Sequence, residues 1–218
     1  MAQIFHPSTN VISKLSIVAL ALGVPALGTA AYFTNMTYAT QIRVPREQPV
    51  PFSHKHHVGD DGIDCRYCHS SVDKGPFAGL PSTHTCMTCH SQIWVDSPLL
   101  APVRESFRTR KPIKWTRVHD LPDFAYFDHS IHVKKGVSCV HCHGRIDTDP
   151  LVMKREPLTM QWCLDCHRHP ERVLRPREYV YDLEWKPKED QTQLGERLMR
   201  EYHVLSSYQL TNCSTCHR

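Results

Sequence analysis

Apolar and polar positions are distributed unevenly along this chain. One long apolar stretch lies near the start, VISKLSIVALALGVPALGTAAYF from Val11 to Phe33, and its part from Leu15 to Phe33 runs 19 residues without a charge. That length spans the hydrocarbon core of a bilayer, and Tyr32 and Phe33 suit its interface, so the pattern predicts a membrane anchor over residues 15–36. A cleaved signal peptide competes, because Gly28-Thr-Ala-Ala31 resembles a small-residue cleavage site. The run is longer than a usual signal core, which favours the anchor. Pro25, with Gly23 and Gly28, is expected to kink the helix without preventing insertion.

Beyond Phe33 no stretch carries a sustained strand or helix period. Residues 37–51 read as a proline-punctuated linker. Ser97 and Pro98 open a short helix within 97–114, residues 168–188, rich in Pro and Arg, are expected to wrap the surface as extended chain, and Gln193 to Val204 offers a last helix. The expected fold class is therefore short α-helices and long loops with almost no sheet, plus the one N-terminal transmembrane helix.

Composition sharpens this picture. The chain has 218 residues, 16 prolines and a mean hydropathy of −0.43 despite its apolar start. Little apolar side chain remains for a conventional core, so something other than side chains must supply buried apolar surface.

The cysteines say what. All ten fall in five C-x-x-C-H strings: Cys65/Cys68/His69, Cys86/Cys89/His90, Cys139/Cys142/His143, Cys163/Cys166/His167 and Cys213/Cys216/His217. Two thiols on one turn reach the two vinyl groups of a haem, and the adjacent histidine binds its iron. Zinc knuckles would need the pairs to combine in fours, and five pairs cannot. The expected cofactor is c-type haem, five per chain, packed as a multihaem cytochrome c. The formal charge of +4 then misleads. Each ferric bis-histidine haem with two propionates brings about −1, for a total of about −1. Solvation and propionate pairing account for the lysines and arginines, and no nucleic-acid partner is implied.

A repeat supplies candidate second ligands. Phe52-Ser-His54-Lys-His-His57 precedes the first two motifs, and Phe127-Asp-His129-Ser-Ile-His132 precedes the third and fourth, His54 standing 11 residues before Cys65 and His129 10 before Cys139. Histidines three apart share a helix face and can ligate two neighbouring haems. This makes His54, His57, His129 and His132 the expected distal ligands, with His56 a competitor to His57. For a fifth, His119 is the choice, His203 and Met160 the alternatives. The modules are 52–90, 127–167 and a terminal haem at 203–218, all within a domain 52–218. Covalent haem attachment in bacteria happens outside the cytoplasmic membrane, which puts that domain on the periplasmic side and residues 1–14 in the cytoplasm.

The order FSHKHH, CRYCH, CMTCH, WTRVHDLPDFAYFDHSIHVKKGVSCVHCHGRID, MQWCLDCHR, CSTCHR resembles the membrane-anchored pentahaem cytochrome c subunit of alternative complex III, over about residues 50–218. The resemblance implies an electron-transfer subunit, not an enzyme in itself, within a single-pass membrane complex that oxidises quinol. Its implied partners are an iron-sulfur subunit and quinol-binding membrane subunits, with a periplasmic cytochrome c, a blue copper protein or a terminal oxidase as acceptor. It also supports His54, His57, His119, His129 and His132 as ligands. Two other readings use the same haems: a small membrane-anchored multihaem quinol dehydrogenase, and a multihaem reductase of a small molecule. Both need an iron with an open or weakly held position.

Overall fold

A computed structural model describes residues 5–35 and 40–217. Residues 1–4, 36–39 and 218 lie outside the described residues. With them fall the start of the expected segment 1–14, the last residue of the anchor 15–36, the first residues of the linker 37–51 and the last of the domain 52–218.

The chain divides into two units, Met1–Ile42 and Arg43–Arg218. The first is built on one helix, α1, Ser8–Asn35. It begins earlier than the uncharged run because Pro7 supplies a preset backbone angle at its first turn and the His6 carbonyl accepts from Thr9 N at 2.9 Å. Its 28 residues extend about 42 Å, enough to cross a hydrocarbon core of about 30 Å. Pro25 lies inside it, and Thr29 Oγ1 donates to the Pro25 carbonyl at 2.6 Å.

The second unit takes up most of the expected linker. Arg43 N donates to Lys154 O at 2.7 Å and Arg46 N to Val152 O at 3.2 Å. The Gln48 side chain pairs with both backbone groups of Thr116 at 2.9 Å, and Val50 is buried. The prolines here hold an extended strap against the body instead of a free tether.

Short helices follow: α2 Cys65–Cys68, α3 Thr83–His90, α4 Ala101–Thr109, α5 His129–Lys134, α6 Cys139–His143, α7 Met160–Arg168, α8 Gln191–Glu201, α9 Ser207–Leu210 and α10 Cys213–Cys216. A π-helical turn covers Lys55–Asp60. Among the described residues there is no strand beyond isolated bridging, as between Val137 and Leu174. The helix expected within 97–114 is a 3₁₀ turn, Pro98–Leu100, running into α4, and it stops at Arg110, whose φ of 58° is left-handed. Pro112 disfavours helical geometry just beyond it.

Among the described residues, side chains form one sizeable cluster. Leu174, Leu194, Leu198 and Tyr202 are buried together, with Val137, Trp185, Met199 and Val204 against them. Asp190 caps α8 by accepting from Thr192 N and Gln193 N. Gly195 lets α8 lie directly on the backbone of Glu171, where a Cβ would collide. The expectation of a surface wrap over 168–188 therefore needs correcting. The segment makes 3₁₀ turns at Pro170–Arg172 and Arg177–Tyr179, and turns Leu174, Val180 and Leu183 inward while Arg168, Arg172 and Arg177 stay outside and Arg175 is half-buried. Leu198→Ala should lower unfolding stability by about 2–5 kcal/mol. A loss below about 1 kcal/mol in a denaturant titration would show that the cluster is not the protein core.

Candidate haem sites

Each C-x-x-C pair occupies a single helical turn, which places its two thiols on one face. Polar residues start these turns. The side chains of Asp64, Ser138, Thr159 and Asn212 accept from Arg66 N, Val140 N, Trp162 N and Ser214 N respectively. A capping residue directly ahead of the cysteine was visible in the sequence as Asp-Cys, Ser-Cys and Asn-Cys, a signal that motif reading passed over.

The imidazoles are held by main-chain carbonyls. His69 Nδ1 lies 2.7 Å from Gly79 O, His90 Nδ1 3.2 Å from Ile93 O, His167 Nδ1 3.0 Å from Leu210 O and His217 Nδ1 2.9 Å from Phe124 O. In the F-x-H-x-x-H repeats, His57 Nδ1 lies 2.9 Å from Ser53 O, His129 Nδ1 2.7 Å from Pro76 O and His132 Nδ1 2.6 Å from Asp128 O. A carbonyl only accepts, so Nδ1 carries the proton in all seven rings and Nε2 keeps its lone pair for a metal.

These rings face one another in pairs. Ring centroids stand 6.5 Å apart for His54 and His69, 6.1 Å for His57 and His90, 6.4 Å for His129 and His143, and 6.2 Å for His132 and His167. Two imidazoles on opposite sides of one metal, each bonded at about 2 Å, have centroids about 6 Å apart, so the spacing fits a ligated iron. Three pairs are near coplanar, at 7°, 10° and 22°; His57 and His90 are crossed at 70°. Beside the first motif lies a cavity of about 520 Å³, lined by Cys65 and by charges of both signs, among them Lys55, Asp60, Arg145 and Asp147, and by none of the paired imidazoles.

The repeat phenylalanines set this geometry. Phe52 stacks on His57 at 4.5 Å and meets His54 edge-on at 4.9 Å; Phe127 stacks on His132 at 4.5 Å and meets His129 edge-on at 4.8 Å. One ring thus fixes two imidazoles at right angles to each other.

Burial keeps several of these imidazoles neutral. It lowers His54 to about 4, helped by His69, His57 and His119, and lowers His143 to about 3, helped by His119 and His129. Burial also lowers His132. A neutral ring is the form a metal needs.

His119 stands apart. Its centroid is 4.4 Å from His143 at 71°, too close for a shared iron, and its Nε2 is buried without a partner. Burial and the nearby Lys154 lower it to about 4. Among the described residues no imidazole faces His217 at 6 Å; its ring meets Phe124 at 6.0 Å. His203 is exposed at a φ of 51°, and Met160 is 65% exposed. His57, not His56, faces His90, while His56 stacks on Trp94 at 5.9 Å. His84 meets Phe107, His141 stacks on Trp162, and His169 lies 3.3 Å from Glu171.

Residues 125–218 match the family of cytochrome c7 and related cytochrome c, and residues 31–100 match the class III cytochrome c family. Residues 31–100 and 125–218 thus share the fold class of the multihaem cytochromes c. The chain is 41% identical over 112 residues to the multihaem cytochrome c subunit of menaquinone reductase from Nitratidesulfovibrio vulgaris, covering 51% of this chain and 50% of that protein. It is 32% identical over 88 residues to cytochrome c-552 of Porphyromonas gingivalis, covering 37% of the chain and 17% of the relative. The aligned part is thus half or less of each curated relative.

Phe127→Ala should release His129 and His132 together, converting up to two low-spin haems to high-spin while the covalent haem count by intact mass stays the same. An unchanged low-spin spectrum would reduce Phe127 to a space filler.

Proposed function

We propose that this chain is the electron-carrying pentahaem subunit of a membrane quinol-oxidising assembly of the alternative complex III kind, anchored by α1 with its haem domain on the periplasmic side. The observation that carries the reading is the four closed imidazole pairs. Haem iron held between two histidines exchanges single electrons and has no position for a substrate. The chain's own contribution is placement: Cys65, Cys68, Cys86, Cys89, Cys139, Cys142, Cys163, Cys166, Cys213 and Cys216 tether five haems, while His69, His90, His143, His167 and His217 bind one side of each iron. His54, His57, His129 and His132 take the other side at motifs one to four.

His119, chosen from the residues as a fifth distal ligand and supported by the resemblance, does not stand where it could share an iron with His143. On the geometry, His119→Ala should leave the low-spin count unchanged, because the ring packs on His143. Conversion of one low-spin haem to high-spin would restore it as a ligand.

The partners follow the same reading: membrane subunits that handle quinol, an iron-sulfur subunit, and a periplasmic cytochrome c, blue copper protein or terminal oxidase. A second reading is favoured by the relative from a menaquinone reductase, namely a cytochrome subunit that feeds electrons toward quinone. The two differ in direction. Mixing the purified membrane complex with a menaquinol analogue should reduce its haems if the first holds; haems that reduce only from a soluble one-electron donor favour the second.

Paramagnetic resonance of the oxidised protein tests the carrier role. At least four low-spin haems are expected, one of them with the strongly anisotropic signal of crossed imidazoles, lost in Cys86→Ala/Cys89→Ala. Carbon monoxide binding at more than one haem per chain would replace the carrier with a ligand-binding protein.

A further inference from the structure

Numbered I to V along the chain, the motifs do not follow sequence order in space. We propose that they stand in one unbranched file, II–I–III–IV–V, so that electrons pass between terminal groups at II and V and every crossing goes through the junction of I and III. The inference rests on the pentahaem carrier reading and adds the path to it.

Motif II meets motif I. Tyr67 Oη and Thr88 Oγ1, one from inside each motif, are 2.8 Å apart, and His54 and His57 reach the two motifs from adjacent turns. The outer side of motif II is covered by α4, with Ser106 Oγ 3.4 Å from Thr83 Oγ1 and Phe107 against His84.

Motif I meets motif III and not only its sequence neighbour. The loop after His69 returns to α5, where Gly75 O accepts from Ser130 N at 3.2 Å and Pro76 O accepts from both His129 N and His129 Nδ1. His129 is the ring facing His143. Both motifs also lean on one segment: Cys139 N and Ser138 Oγ donate to Val180 O, and the Arg66 guanidinium lies 4.5 Å over the Tyr181 ring.

Motif III meets motif IV through α5, which presents His129 to one and His132 to the other, and through His141 stacked 5.3 Å from Trp162. Motif IV meets motif V where Leu210, three residues before Cys213, accepts from His167 Nδ1. Beyond that, Tyr126 N donates to Cys216 O at 2.6 Å, which ties motif V to the strand of chain leading into α5.

A photoreductant tethered to a cysteine replacing Ser91, beside motif II, tests the file in the full-length protein. In the parent, all haems should reduce as one set. In Cys139→Ala/Cys142→Ala, haems I and II should reduce promptly and IV and V at least an order of magnitude more slowly, whereas Cys213→Ala/Cys216→Ala should leave four that reduce together. Uniform reduction of all four haems in the motif III variant would overturn the file. A second measurement needs no haem removed: freeze-quenching after a flash should find the crossed-imidazole signal of motif II bleached first with the label at Ser91 and last with the label at Tyr208, which is exposed just ahead of motif V. The reverse order, or no difference, would also overturn it. Intact mass is separate: fewer than five haems in the parent refutes the pentahaem reading and not the file.

Discussion

Two imidazoles must be held on opposite faces of a flat group, each with its Nε2 turned inward, for a bis-histidine haem to form. The chain meets that demand mostly with its own backbone. Seven rings give their Nδ1 proton to a carbonyl, and those carbonyls come from loops far away in sequence as often as from the ring's own turn. Pro76 positions His129 across 53 residues, Leu210 positions His167 across 43, and Phe124 positions His217 across 93. Loops that look irregular are therefore tied to the imidazoles they orient, since moving one carbonyl would turn its ring.

How much of this was legible in the sequence depended on whether the chemistry is local. Thioether attachment needs two cysteines and a histidine on one turn, so the five motifs could be read directly. The F-x-H-x-x-H repeat was legible for the same reason, because one helical turn carries both rings, and the structure explains the phenylalanine as their shared spacer. A fifth distal ligand has no local rule. His119 lies in a turn whose direction is set by packing against His143, which nothing in its neighbouring residues announces. The segment 168–188 misled in the other direction. Its prolines and arginines suggested a surface strap, yet Leu174 and Val180 are among the most buried residues of the chain, because sparse apolar residues in a turn-rich segment leave no period to detect.

The crossed pair at His57 and His90 departs from the other three. His57 lies inside the π-helical turn Lys55–Asp60, where His56 stands at the position that Ile131 holds in the second repeat. The second repeat has an ordinary α-helix there, His129–Lys134. The two modules thus share a sequence pattern and a spacer ring, and differ in the wind of one turn.

The protein core is lopsided. Leu174, Leu194, Leu198 and Tyr202 pack at the C-terminal side, while the part carrying the first two motifs buries only isolated side chains such as Val72 and Val103. Without its haems, that N-terminal portion has little to keep it from opening, whereas the C-terminal cluster can persist by itself. A chain that misses its first attachments would thus expose cleavable backbone ahead of an intact remainder. A protease would then act on the half synthesised first.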